Sequence, residues 1–155
     1  MKPLIHFAHA NGVPAKVYQK LFDLLESDFE IIYVPILGQD QRYPIDNHWK
    51  SLTQQVIDHI VQQAQGRPVI GIGHSLGAVL TFQAALKRPE LFSQVIMLDP
   101  PLIMGKDVLV WHVAKLLHLK IVDKMSPAQL SKRRRDHWDS REQAAELLRS
   151  RGFYR

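Results

Sequence analysis

Four short apolar runs punctuate the first hundred residues, and each is separated from the next by a stretch with helical spacing. The runs are Leu4-Ile5-His6-Phe7-Ala8, Glu30-Ile31-Ile32-Tyr33-Val34-Pro35-Ile36, Val69-Ile70-Gly71-Ile72-Gly73 and Val95-Ile96-Met97-Leu98. All are nearly continuous in apolar residues, as strands are when both faces of their sheet are covered. Between them, Val17, Leu21, Leu24 and Leu25 predict a helix over about 14–26, with Pro14 in its first turn, where a missing N–H is harmless. Leu52, Val56, Ile60 and Val61 predict a second helix, capped by Asn47 or Ser51. A third runs from Ser75 to about Lys87 and is stopped by Pro89. Strands alternating with helices in this way are joined by right-handed crossovers and lie parallel. Residues 1–101 are therefore predicted to be α/β: an open, mostly parallel sheet with crossover helices.

The pattern changes at Pro100-Pro101. Residues 102–155 hold no strand-like run. Val108 to Val122 carries a wide apolar arc interrupted by His112, Lys115, His118 and Lys120. Ser126-Pro127-Ala128-Gln129 and Ser140-Arg141-Glu142-Gln143 both read as capping boxes, the second opening a helix through Ala144, Leu147 and Leu148. This second segment is predicted to be helical. Charge shifts with it: residues 101–155 hold twelve Lys and Arg against six Asp and Glu, and so account for the chain's net charge of +5. The Lys132-Arg133-Arg134-Arg135 run is accompanied by no nucleic-acid-binding motif and no regular interleaving of aromatics, so it reads as a solvated face and no nucleic-acid partner is expected.

Composition excludes several chemistries. The chain has no cysteine, which rules out a disulfide scaffold, a thiol nucleophile and a thiolate metal site. Its histidines lack paired spacing with carboxylates, and Gly71 and Gly73 are out of register with a dinucleotide fingerprint, so no metal and no cofactor is expected. No apolar run reaches the ~18 residues of a membrane span. The opening MKPLIHFAHANG lacks a signal-peptide core, which leads to the expectation of a cytoplasmic protein.

The chemistry is carried by Gly73-His74-Ser75-Leu76-Gly77, a G-x-S-x-G pentapeptide set between a predicted strand and a predicted helix. That context demands a tight, strained turn that lifts the serine hydroxyl clear of the sheet. Gly73 and Gly77 let the strand and helix backbones approach. The helix N-terminus brings N–H donors beside the hydroxyl, with the Leu76 N–H as a candidate oxyanion donor. His9-Ala10-Asn11-Gly12 closes the first strand, and loops at the carboxyl ends of parallel strands gather at one crevice. The Asn11 N–H is therefore a second candidate oxyanion donor. His9 and His74 are candidate pocket residues; His9 also fits a purely structural role, bonded to loop backbone, and the His74 side chain is expected to point away from the serine. Asp99, closing the fourth strand, is a candidate acid or an ordinary strand-end aspartate.

Taken with Leu98-Asp99-Pro100-Pro101, these residues make the chain resemble the α/β-hydrolases of the esterase, lipase and peptidase group. The resemblance covers the first hundred residues and implies that Ser75 is the nucleophile, that Asn11 and Leu76 form the oxyanion hole, and that 102–155 is a helical cap roofing the site of a small acyl substrate. It also implies a triad in the order serine, acid, histidine. Two later strand–helix units are missing from the pattern, and His112, His118 and His137 are the histidines left downstream of Asp99. The chain is thus expected to be the N-terminal part of a hydrolase, weakly active or inactive alone. Its fourth strand would be an open edge that pairs with a second copy or with the missing C-terminal part. Two other readings compete: an acyltransferase, though Ala78 stands where such enzymes commonly carry glutamate, and a non-catalytic binding fragment using its basic C-terminal surface.

Overall fold

The computed structural model describes residues 1–101 and 137–149. The chain divides into two units, Met1–Leu102 and Ile103–Arg155.

The first unit runs β1 (Leu4–Ala8), a 3-10 turn (Ala15–Tyr18), α1 (Gln19–Leu25), β2 (Glu30–Tyr33), a second such turn (Asn47–Trp49), α2 (Lys50–Gln63), β3 (Val69–His74), α3 (Leu76–Lys87), a third (Pro89–Leu91) and β4 (Phe92–Leu98). The strands form one sheet in the order β2-β1-β3-β4, and every pair is parallel. His6 is the hinge of the register, opposite Ile32 on one side and Gly71 on the other. The chain goes outward from β1 to β2, then returns to place β3 on the other flank of β1. The loops leaving β1 and β3 therefore lead to helices on opposite faces, the switch point at which open α/β sheets hold their ligands.

Alternation along β1 divides the core in two. Leu4 joins Leu52, Val56, Ile57 and Ile60 of α2 and Leu76, Leu80 and Ala84 of α3 on one face. Ile5 and Phe7 meet Phe22 of α1 on the other, with Tyr18, Leu25 and Tyr33 packed around them. The sheet is thus a middle layer, and β1 is buried along its whole length.

Several expectations need correction. Val17 and Leu24 were expected to turn inward, yet they are 68% and 72% exposed. Leu25 packs inward as expected, but the rest of the inward stripe is Ala15, Tyr18 and Phe22, because rings fill this face: Phe7 meets Tyr18 and Phe22 at centroid distances of 4.7 and 5.2 Å, and Phe22 stacks on Tyr33 at 4.9 Å. The start of α2 is capped by neither Asn47 nor Ser51. Asp46 does this, its Oδ2 accepting the Ser51 N–H (3.1 Å) and hydroxyl (2.8 Å). Val61 is exposed, and Ile57 takes its place in the core. β2 stops at Tyr33 rather than Ile36, since Pro35 has no N–H for the ladder and its carbonyl accepts the Ala15 N–H instead (3.1 Å). β4 begins three residues early, at Phe92. Burial on both faces holds for β1 but not for the outer strands: Ile96 and Leu98 of β4 are 41% and 40% exposed, and β4 is an edge among the described residues.

In the second unit, α4 (Arg141–Arg149) is described. Ser140 caps it, accepting the Gln143 N–H at 3.1 Å, while the Gln143 side chain reaches back to the Asp139 N–H (3.3 Å) and carboxylate (3.0 Å). The predicted 108–122 helix, the Ser126 box, the Lys132–Arg135 run, His112 and His118 lie outside the described residues.

Candidate active site

Ser75 occupies the single residue between β3 and α3, with φ 52° and ψ −116°. The positive φ is unfavourable for any residue with a Cβ, and this ψ lies outside even the left-handed helical well, a conformation that costs about 1–3 kcal/mol. The surroundings enforce it. The Ser75 N–H donates to the Leu98 carbonyl (2.9 Å), extending the β3–β4 ladder by one bond, while its own carbonyl accepts the N–H groups of Ala78 (3.0 Å) and Val79 (3.4 Å). The chain must change from strand to helix within one residue. The half-buried side chain makes no capping bond to the helix it precedes. Replacing Ser75 by glycine is expected to raise unfolding stability by about 1 kcal/mol, measured by urea denaturation, because only the strain is relieved.

The two flanking glycines make the turn feasible. A Cβ at Gly73 would fall on the Gly77 carbonyl oxygen and lie 2.5 Å from the Ala78 backbone. One at Gly77 would fall on the Ala8 carbonyl oxygen and lie 2.7 Å from that of His9. The first turn of α3 is therefore seated directly on the end of β1. The Leu76 N–H, at the start of that turn, is free of an intrahelical partner by position, and the loop that carries Asn11 continues from the Ala8–His9 backbone on which the turn rests. The Leu76 side chain faces the other way, into the core.

The β1 loop is held by its own bonds. Ala10–Val13 forms a tight turn closed by the Val13 N–H on the Ala10 carbonyl (3.1 Å), with Gly12 supplying a φ of +70°. Asn11 is exposed at its tip. His9 is 2% exposed and has both ring nitrogens on backbone: Nε2 accepts the Leu37 N–H (2.8 Å), so Nδ1 carries the hydrogen and donates to the Ala10 carbonyl (2.8 Å). Burial lowers its pKa, partly offset by the Ala10 bond, and the ring is neutral. His9→Phe is expected to cost about 2 kcal/mol in urea denaturation, since it leaves a Leu37 donor and an Ala10 acceptor unpaired.

His74 is half-buried, and its Nδ1 is joined to the Tyr18 hydroxyl at 2.7 Å. That hydroxyl also accepts the Ala10 N–H at 3.3 Å. Nothing in the sequence pattern singled out Tyr18; its role depends on a crossing between residues 56 positions apart. Asp99 is exposed, with φ 46°, one residue past the carbonyl that accepts the Ser75 N–H. His137 is exposed and belongs to the second unit. Among the described residues, no group of three His, Asp or Glu side chains is placed to hold a metal ion, and no helix is long and apolar enough to cross a membrane.

A parallel sheet of this strand order, with a strained turn leading from its third strand into a helix, defines the α/β-hydrolase fold. Solved structures sharing it include the thioesterase domain from the curacin biosynthetic pathway, with a TM-score of 0.58 and 17% identity over 96% of this chain and 53% of that one. Another is the 2-hydroxy-6-oxo-6-phenylhexa-2,4-dienoate hydrolase of Rhodococcus sp. strain RHA1, with a TM-score of 0.56 and 16% identity over 78% of this chain and 49% of that one. Within the fold, the thioesterase-domain family model matches residues 2–97, and the chain belongs to that family. Among curated relatives it is similar to the uncharacterized hydrolase YugF of Bacillus subtilis (strain 168), 26% identical over 107 residues, which are 62% of this chain and 39% of YugF. It is also similar to the type I acyl-CoA thioesterase mpaH of Penicillium roqueforti (strain FM164), 29% identical over 109 residues, 60% of this chain and 25% of that protein. The chain thus spans well under half the length of these relatives and about half that of the matched structures.

Proposed function

We propose that this chain supplies the nucleophile and oxyanion side of a serine hydrolase acting on acyl thioesters or esters, with Ser75 as nucleophile. The observation that carries this reading is the backbone of Ser75: a serine held at φ 52° and ψ −116°, seated at a helix N-terminus and making no capping bond to that helix. In the reaction, Ser75 Oγ attacks the acyl carbon and its proton passes to a general base. The carbonyl oxygen becomes an oxyanion facing the Leu76 and Asn11 N–H groups, where fixed donors contribute most. The tetrahedral intermediate expels the thiol or alcohol, which takes up the proton. Water then attacks the acyl-serine and releases the acid, regenerating Ser75.

His9 and His74, at the serine's end of the sheet, are already bonded to backbone and to Tyr18. They serve in this reading as supports, and the base lies outside the described residues of the first unit, on another segment or on a partner chain. The β4 edge, open among the described residues and ending one residue before Asp99, is the natural place for such a segment or partner to pair. General-base catalysis contributes about 10²–10⁴-fold, so protein in which that base is not in place should turn over slowly by that factor.

The thioester reading is tested with short-chain acyl-CoA, following released thiol. Because the protein has no cysteine, any thiol detected comes from substrate. Slow release that falls to background in Ser75→Ala is expected. Equal release by the variant would contradict the assignment.

A further inference from the structure

The two candidate oxyanion donors sit on different segments, one in the loop after β1 and one at the turn after β3, and none of the three backbone bonds to Ser75 described above ties these segments together. One side chain does. The Tyr18 hydroxyl accepts the N–H of Ala10, the residue before Asn11, and bonds Nδ1 of His74, the residue before Ser75. The tyrosine ring is itself braced. It packs on Phe7 of β1 (4.7 Å between centroids) and on Phe22 of α1 (6.5 Å), and meets the His74 ring edge-on at 5.8 Å. The hydroxyl is therefore a fixed point between the loops, anchored in the aromatic core rather than in either loop.

We infer that Tyr18 is a positioning residue: through Ala10 on one side and His74 on the other, its hydroxyl sets the spacing of the Asn11 and Leu76 N–H groups. In this role it acts through Ala10 and His74 rather than on the acyl group itself. Oxyanion donors act only when held at hydrogen-bond distance from the point where negative charge develops, so a small loss of spacing lowers the chemical step more than binding. The catalytic half of this inference rests on Ser75 being the nucleophile; the structural half, one hydroxyl holding two loops, does not.

Tyr18→Phe separates the two functions of the side chain, because it keeps the ring packing and removes the bridge. Labelling by an alkyl fluorophosphonate, followed by intact mass, reads the chemical step as a maximal rate and a half-saturating concentration. Tyr18→Phe is expected to lower the maximal rate about tenfold while leaving the half-saturating concentration within a factor of two. His74→Leu should match it, and the double variant should be no slower than either single one. His74→Asn, which keeps a hydrogen-bonding group near the position of Nδ1, should recover most of the rate. Amide hydrogen exchange gives a second readout that requires no chemistry. Exchange at Asn11 and Leu76 should quicken in Tyr18→Phe, with Val56 and Ile60 unchanged. Unaltered exchange at both loops would overturn the bridge whatever the labelling shows. Quickened exchange with an unchanged labelling rate would overturn the catalytic half. A wild-type protein that labels elsewhere than Ser75 would overturn the nucleophile assignment and that half with it, while the exchange result still decides the bridge.

Discussion

Gly77→Ala is expected to cost more than ~3 kcal/mol, beyond the usual range for an overfilled core, and to leave much of the protein unfolded. The added methyl would fall on the Ala8 carbonyl oxygen, 2.5 Å from its carbon and 2.7 Å from the His9 carbonyl oxygen. These are backbone atoms of β1 and of the residue that follows it, and no rotamer change moves them aside. Gly73→Ala should be comparable, since it meets the backbone of Gly77 and Ala78. Gly71→Ala should be milder, about 1–3 kcal/mol, because the obstacles are the Thr81 methyl (2.7 Å) and the Phe92 ring (2.8 Å), side chains with some freedom. Gly12→Ala meets no atom within 4 Å and should lose only about 1–2 kcal/mol, from its φ of +70°. Urea denaturation followed by circular dichroism gives all four values. A loss below 1 kcal/mol for Gly77→Ala would mean that α3 does not rest on the end of β1, and the proposed proximity of the Asn11 and Leu76 N–H groups would fall with it.

Acid should destabilise the first unit through His6. This residue is wholly buried on β1, its ring 5.3 Å from that of His59 on α2, and neither of its ring nitrogens has a hydrogen-bond partner. Burial, and secondarily the charge of His59, lower its pKa from 6.5 to about 3. The unfolded chain therefore takes up this proton first as pH falls. Stability is full above about pH 6.5 and declines down to about pH 3, at up to ~1.4 kcal/mol per unit, for a total on the order of 4 kcal/mol. His59 and His9 have pKa values lowered by burial and push in the same direction. His6→Leu should flatten the curve between pH 7 and 4 without loss at pH 7.5, since removing an unpaired polar ring from a core is close to neutral or favourable. Comparing the two proteins cancels the carboxylates that also titrate at the acid end. Equal slopes would show that His6 is not buried neutral.

The central layer was legible in the residues themselves. β1 came out at Leu4–Ala8 as read, and α3 within a residue of its expected start, because continuous apolar runs bounded by Gly and Pro leave little choice of element. The strand-to-helix turn at Ser75 was legible for a stronger reason: glycines at 73 and 77 meet a steric need that no other residue satisfies. The face of α1 was not. Leucine spacing points to Val17, Leu21, Leu24 and Leu25, of which Leu25 alone packs on this core; the space beside Phe7 suits flat rings, and Tyr18 and Phe22 fill it. The cap of α2 was missed because Asp46 acts across an irregular turn in which His48 and Trp49 both have positive φ, which breaks the usual capping offset. The outer strands looked doubly buried in sequence, but edge position is a property of strand order, which apolar content does not encode. Tyr18 was invisible for the same reason: a bond to His74 exists only once β3 has been laid beside β1.

The most direct test of the whole account is where an alkyl fluorophosphonate attaches. After prolonged exposure at pH 7.5, digestion and mass spectrometry should place a single adduct on Ser75, and Ser75→Ala should take up none. An adduct on another residue, or equal uptake by the alanine variant, would contradict it.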